Sequence, residues 1–131
     1  ARWERGFAEL FRRFTRSMTR NGDPGLPCVV EHYNPETGEP LSTEDDYFHS
    51  HWIDLVVKNL AGIRPEVPGS LVVEPLELGI GDFDIEAVPV RGHEVSVSRA
   101  GGSLSVRLDG RMVAEVAPGD RAVLALPEVG R

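Results

Sequence analysis

Glu94-Val95-Ser96-Val97-Ser98-Arg99-Ala100-Gly101-Gly102-Ser103-Leu104-Ser105-Val106-Arg107-Leu108-Asp109-Gly110 holds two blocks of alternating apolar and polar residues, each closed by a glycine turn. Alternation with a period of two buries one face of a strand and wets the other. Ala100-Gly101-Gly102 and Asp109-Gly110 are hairpin signals, and the second fits a two-residue type I′ turn, which needs a positive φ at both positions. Working outward, Ser70–Leu76, Ile85–Val90, Met112–Val116 and Ala122–Leu126 are short, rich in β-branched residues and bounded by turn residues. Together with Glu94–Arg99 and Ser103–Leu108 they predict an antiparallel meander closing a small sandwich. Asp82, Asp84, Glu86 and His93 crowd one connection; their spacing matches no calcium loop, and they read as a solvated acidic loop.

The first part of the chain has a different period. Trp3, Phe7, Leu10, Phe11, Phe14 and Met18 form a helical stripe, with Arg5, Glu9, Arg12, Arg13 and Arg16 on the other faces. The helix should end near Asn21-Gly22, with Asp23-Pro24-Gly25 as its stop. Such a stripe is expected to pack on a neighbouring helix. A second helix is predicted from an entry at Ser42-Thr43-Glu44-Asp45-Asp46 to about Leu60, burying Phe48, Trp52, Leu55, Val56 and Leu60. Ala61-Gly62 ends it and Pro65 prevents its continuation. His49 and His51 stand two apart and point to different faces of a helix, so no metal site is expected there.

Composition bounds the function. The 131 residues make one domain or two small pieces, and the net charge of −7 argues against a nucleic-acid surface. Residues 1–20 carry six Arg against two acids, whereas residues 21–62 carry one Lys against eight acids. An acidic middle suits a neutral sugar better than a phosphate ligand. No apolar run reaches transmembrane length and no signal peptide is visible, so no membrane partner is expected. The single Cys28 excludes an internal disulfide, reads as a small buried residue and leans toward a cytoplasmic location. Because the chain begins at Ala1, it is expected to be a C-terminal portion of something longer.

Between the two helical patterns lies Glu31-His32-Tyr33-Asn34-Pro35-Glu36-Thr37-Gly38, where a carboxylate, an imidazole, a phenol and a carboxamide run into a Pro/Gly turn. Asn34-Pro35 opens the turn and Gly38 supplies a positive φ to close it. Apolar Leu26-Pro27-Cys28-Val29-Val30 leads in; burying it would desolvate the Glu31 carboxylate, which suits a general base.

This run, continued by Glu39-Pro40-Leu41, Asp45-Asp46-Tyr47-Phe48 and Trp52-Ile53-Asp54-Leu55, resembles the end of an (α/α)6-barrel inverting glycoside hydrolase, of the group that includes processing α-glucosidases, trehalases and mannosylglycerate hydrolases. The resemblance spans roughly residues 20–126, specific at Glu31–Gly38 and only architectural beyond residue 70. It implies an α+β fold, the C-terminal helices of an (α/α)6 barrel followed by a small antiparallel β-sandwich domain. Residues 1–62 would be the last helices and the catalytic-base loop, and residues 63–131 the C-terminal β-domain. It further implies that Glu31 is the catalytic base, that Tyr33 and Asn34 orient the water or sugar hydroxyls, and that His32 and Trp52 line the substrate-binding subsite. His49-Ser50-His51-Trp52 departs from the aromatic-first pattern of that group. The implied partners are a carbohydrate substrate and the N-terminal remainder of the barrel, which would supply the general acid, with no metal or cofactor. The chain alone would then be inactive. Two other readings remain: a non-catalytic carbohydrate-binding or structural β-domain, and an interaction module whose aromatic helix binds a partner.

Overall fold

Residues 2–20, 22–43, 47, 50–65, 68–77, 79 and 81–127 are described in a computed structural model of the chain. The chain divides into two units, Ala1–Trp52 and Ile53–Arg131.

In the first unit the helical stripe forms α1 (Arg2–Ser17). Its interior contains no proline and one glycine, Gly6, so the intrinsic preference for helix is sustained. Ala8 and Phe11 are buried. The aromatic residues meet side chains from later in the same unit. The Phe11 ring lies parallel to Trp52 with centroids 6.2 Å apart, and Phe14 meets Tyr33 edge-to-face at 6.0 Å. The chain then turns through Met18–Arg20, where Arg20 takes φ +37°. The helix ends at Ser17, short of the end expected near Asn21-Gly22, and farther on Asp23 accepts a hydrogen bond from the Gly25 amide (2.9 Å) in a side-chain turn.

The connection into the second unit is α2 (Ser50–Asp54), which widens into a π-helical turn over Leu55–Leu60, with the Ala61 amide donating to the Val56 carbonyl at 2.9 Å. Seven strands follow: β1 (Ile63–Arg64), β2 (Ser70–Val73), β3 (Phe83–Val90), β4 (His93–Ala100), β5 (Ser103–Leu108), β6 (Arg111–Val116) and β7 (Ala122–Ala125). They make two antiparallel sheets, ordered β1-β2-β7 and β3-β4-β5-β6. The meander is thus inserted between β2 and its neighbour β7. The alternation in β4 and β5 sends Val95, Val97, Leu104, Val106 and Leu108 inward. There they join Ile63, Leu71, Val73 and Ala122 from the smaller sheet, and Leu126 just after β7, in one apolar cluster. Three consecutive hairpins turn on positive-φ pairs, Arg91-Gly92, Gly101-Gly102 and Asp109-Gly110. Strand β3 carries a bulge: Ile85 pairs with Val97 but Val88 with Val95, and Ala87 sits at φ +54° with its amide on Ser96 Oγ (3.1 Å). One extra residue lets Phe83, Ile85, Val88 and Val90 all pack toward the core despite the break in alternation.

The expected (α/α)6-barrel helices followed by a β-domain are overturned. Among the described residues the chain is mostly β, with seven strands in two antiparallel sheets and two short α-helices, and no portion of a helical barrel. Local chemistry explains the difference. Pro24, Pro27, Pro35 and Pro40, with Gly22, Gly25 and Gly38, keep the chain between α1 and α2 in turns. The predicted helix over 42–60 is reduced to α2 and the π turn; its entry residues Glu44–Asp46, with Phe48 and His49, lie outside the described residues. Among the described residues no helix is long and apolar enough to cross a membrane.

Candidate functional site

The Glu31 run folds into a small, internally braced hairpin in the first unit. Tyr33 and Pro40 form an antiparallel bridge. The Asn34 amide donates to the Glu39 carbonyl (2.8 Å), the Gly38 amide to the Asn34 carbonyl (2.8 Å), and the Leu41 amide to the His32 carbonyl (2.8 Å). Asn34 Oδ1 accepts the amides of Glu36 (2.8 Å) and Thr37 (3.1 Å), an Asx turn that closes the tip. Gly38 takes φ +77°, the positive value the turn requires. Ser42 Oγ accepts the His32 amide (3.1 Å), tying down the other end.

Tyr33 braces the approach to Glu31. Its hydroxyl donates to the Cys28 carbonyl (2.6 Å) and accepts the Val30 amide (3.1 Å). Burial raises the Tyr33 phenol above its ordinary range, partly opposed by the Val30 amide, so it stays a donor. Cys28 and Val30 are buried, but the chain bends at Glu31, whose side chain is 44% exposed. The desolvation anticipated for this carboxylate is not supplied by its lead-in. Its Oε2 lies 3.6 Å from His32 Nδ1, and the His32 side chain is 67% exposed. That is too long for a strong hydrogen bond, and as an exposed ion pair it is weak. The carboxylate therefore keeps acceptor capacity for water.

The five residues singled out in the sequence divide. Glu31 and His32 are adjacent and project outward. The Tyr33 hydroxyl and the Asn34 carboxamide oxygen are engaged by backbone. Trp52 is half-buried: its indole N–H donates to Thr15 Oγ1 (3.0 Å) while that hydroxyl donates to the Phe11 carbonyl (2.9 Å). Among the described residues no group of three His, Cys, Asp or Glu side chains could hold a metal ion.

The second unit holds a polar cluster that sequence reasoning missed. His93, read as part of an acidic loop, is buried at the start of β4. Its Nδ1 lies 2.7 Å from Asp109 Oδ2 and its Nε2 lies 2.8 Å from the Pro127 carbonyl. The Pro127 carbonyl and then the Asp109 carboxylate push His93 above the usual imidazole range, against the effect of burial. The Glu94 amide (2.9 Å) and then the His93 ring hold Asp109 below the usual carboxylate range. Asp82 lies elsewhere, accepting the Gly101 amide (2.9 Å) at the β4–β5 turn. Hairpin bookkeeping would have found the pair, because Arg91-Gly92 and Asp109-Gly110 are alternate turns of one meander and fall at the same end of the sheet. With both imidazole nitrogens engaged, this cluster has no position open for a reacting group. Comparisons with protein-family models, curated proteins and solved structures give no match.

Proposed function

We propose that this chain contributes Glu31 as the general base of an inverting hydrolase acting on α-glycosidic bonds. The observation that carries the reading is the braced hairpin, which holds Glu31 at a fixed bend with an exposed carboxylate beside His32. In such a reaction a water oxygen attacks the anomeric carbon from the face opposite the leaving group. Glu31 takes the water proton, the anomeric C–O bond breaks, and a second carboxyl group roughly 6.5–9.5 Å away protonates the leaving oxygen. That acid belongs to a segment outside this chain, so the 131 residues alone are expected to be inactive. His32 would line the sugar subsite. Tyr33 and Asn34 would serve the base by holding its backbone, and Trp52 would shape the subsite from its packed position on α1. The eight acids of residues 21–62 suit a neutral sugar. The buried free thiol of Cys28 suits a reducing compartment, the cytoplasm.

One observation favours the rival reading, a non-catalytic carbohydrate-binding or structural domain: polar atoms of Tyr33, Asn34 and Trp52 are all engaged within the chain. A single experiment separates the two. The intact natural protein, with and without Glu31→Gln, is assayed on α-linked disaccharides and glycosyl-glycerates. Loss of a general base should lower kcat by about 10²–10⁴-fold with KM and melting temperature retained. An unchanged rate would make the hairpin architecture alone.

A further inference from the structure

We propose that His93 is a proton-operated latch that holds the chain leaving β7 against the turn end of the four-stranded sheet. Both ring nitrogens face acceptors, Asp109 Oδ2 at 2.7 Å and the Pro127 carbonyl at 2.8 Å. A neutral imidazole has one N–H and one lone pair, so it can satisfy only one of them; the imidazolium donates to both. The ring is buried, leaving little water to replace a lost partner.

Release is directional. Asp109 is anchored twice, its Oδ1 accepting the Glu94 amide (2.9 Å) and its own amide donating to the Glu94 carbonyl (2.8 Å). A carboxylate is also a stronger acceptor than an amide carbonyl. On losing its proton, His93 therefore keeps the Nδ1–H bond to Asp109, and its Nε2 lone pair faces the Pro127 carbonyl. That contact becomes repulsive, and the segment beyond β7 is let go. The last backbone bond before it runs from the Leu126 amide to the Gly69 carbonyl (2.9 Å), with the buried Leu126 at the margin of the core, so letting go of Pro127 leaves this bond to open more readily. Among the described residues the charged groups around the ring are few. Asp109 comes from the β5–β6 turn, with Arg111 two residues on and acting on it, and Glu94 follows His93 on β4. Arg91, from the β3–β4 turn, reaches the Pro65 carbonyl at 3.4 Å. The direction of the His93 shift agrees with this cage of acceptors.

The test uses the full 131-residue chain. Nitrogen NMR of the His93 ring reports protonation at each nitrogen, and amide exchange, corrected for intrinsic rates, reports the latch at Leu126. At about pH 6 both ring nitrogens should carry protons. Protection of the Leu126 amide should fall at least about tenfold as His93 titrates, while that of Val97 in mid-β4 stays constant. His93→Gln, which cannot titrate, should give Leu126 a protection independent of pH. Should that variant fail to fold, the titration of the unaltered chain decides alone. A ring already neutral at about pH 6, or Leu126 protection unchanged through the His93 titration, would overturn the latch.

Discussion

At Tyr33 a side chain that reads as a ligand for sugar or water is a brace for the local backbone. A phenol two residues after a carboxylate invites a functional role, but its hydroxyl is committed to the Cys28 carbonyl and the Val30 amide. Tyr33→Phe keeps the ring against Phe14 and removes the hydroxyl alone. It should cost about 1–2 kcal/mol of stability, because the buried Val30 amide loses this acceptor. Thermal or urea unfolding checks the value; an unchanged midpoint would mean that the hydroxyl braces nothing. The same distinction was legible at Gly38, whose positive φ was expected from the Asn-Pro-x-x-Gly turn. It was not legible at Asn34, since a carboxamide that orients water and one that closes an Asx turn are the same residue in the same place.

Among the elements, turn chemistry was the readable part. Gly101-Gly102 and Asp109-Gly110 both adopt the positive-φ pairs their composition demands, while Arg91-Gly92 makes the same turn without the usual Asn or Asp lead. The bulge in β3 was hidden because Ile85 and Val88 break the period of two, although the spacing of Phe83, Ile85, Val88 and Val90 records one inserted residue. Gly62 shows why the predicted second helix stops where it does. It joins the π turn to β1 at φ +71°, and a Cβ there would fall on the backbone joining Glu74 to Pro75. The Glu74 amide also donates to the Gly62 carbonyl (3.0 Å), holding the two segments at that spacing. Gly62→Ala should therefore destabilise the second unit by more than about 1 kcal/mol, as a fall in the denaturant midpoint. Wild-type stability would show that the backbone yields more readily than this packing suggests.

For the second unit as a whole, two quantities can be forecast. Leu71 is fully buried in β2, the central strand of the smaller sheet. Leu71→Ala should cost about 2–5 kcal/mol, measured by denaturant unfolding of the full chain. The pH dependence follows from the buried His93 and its exposed partner Asp109. His93 is raised in the folded state, so its contribution is complete below its ordinary value of 6.5 and is lost as pH rises through the folded value. Asp109 is lowered, so its contribution is complete above its ordinary value of 3.8 and is lost as pH falls through the folded value. Stability from this cluster should therefore be greatest between those two values. Melting temperatures across the pH range check it, and His93→Gln should flatten the alkaline limb.

The sequence by itself located six of the seven described strands, two of the three meander hairpins and the first helix, because apolar period, β-branching and glycine turns act over a few neighbouring residues; it missed the two-residue β1 and ran the helix past its end at Ser17. It also singled out the Glu31 run as a rigid turn rich in polar groups. What only the tertiary structure decided is what those elements pack against. The aromatic stripe of α1 looked like one wall of a helical barrel, yet within its own unit it meets Tyr33 and Trp52. A stripe states that a face must be covered and does not say by what. His93, Asp109 and Pro127 are likewise distant in sequence, and their meeting depends on strand register and on β7 returning beside β2 after the meander. Register and return are properties of the closed core, where burial of residues from both sheets selects one pairing from many that local preferences allow.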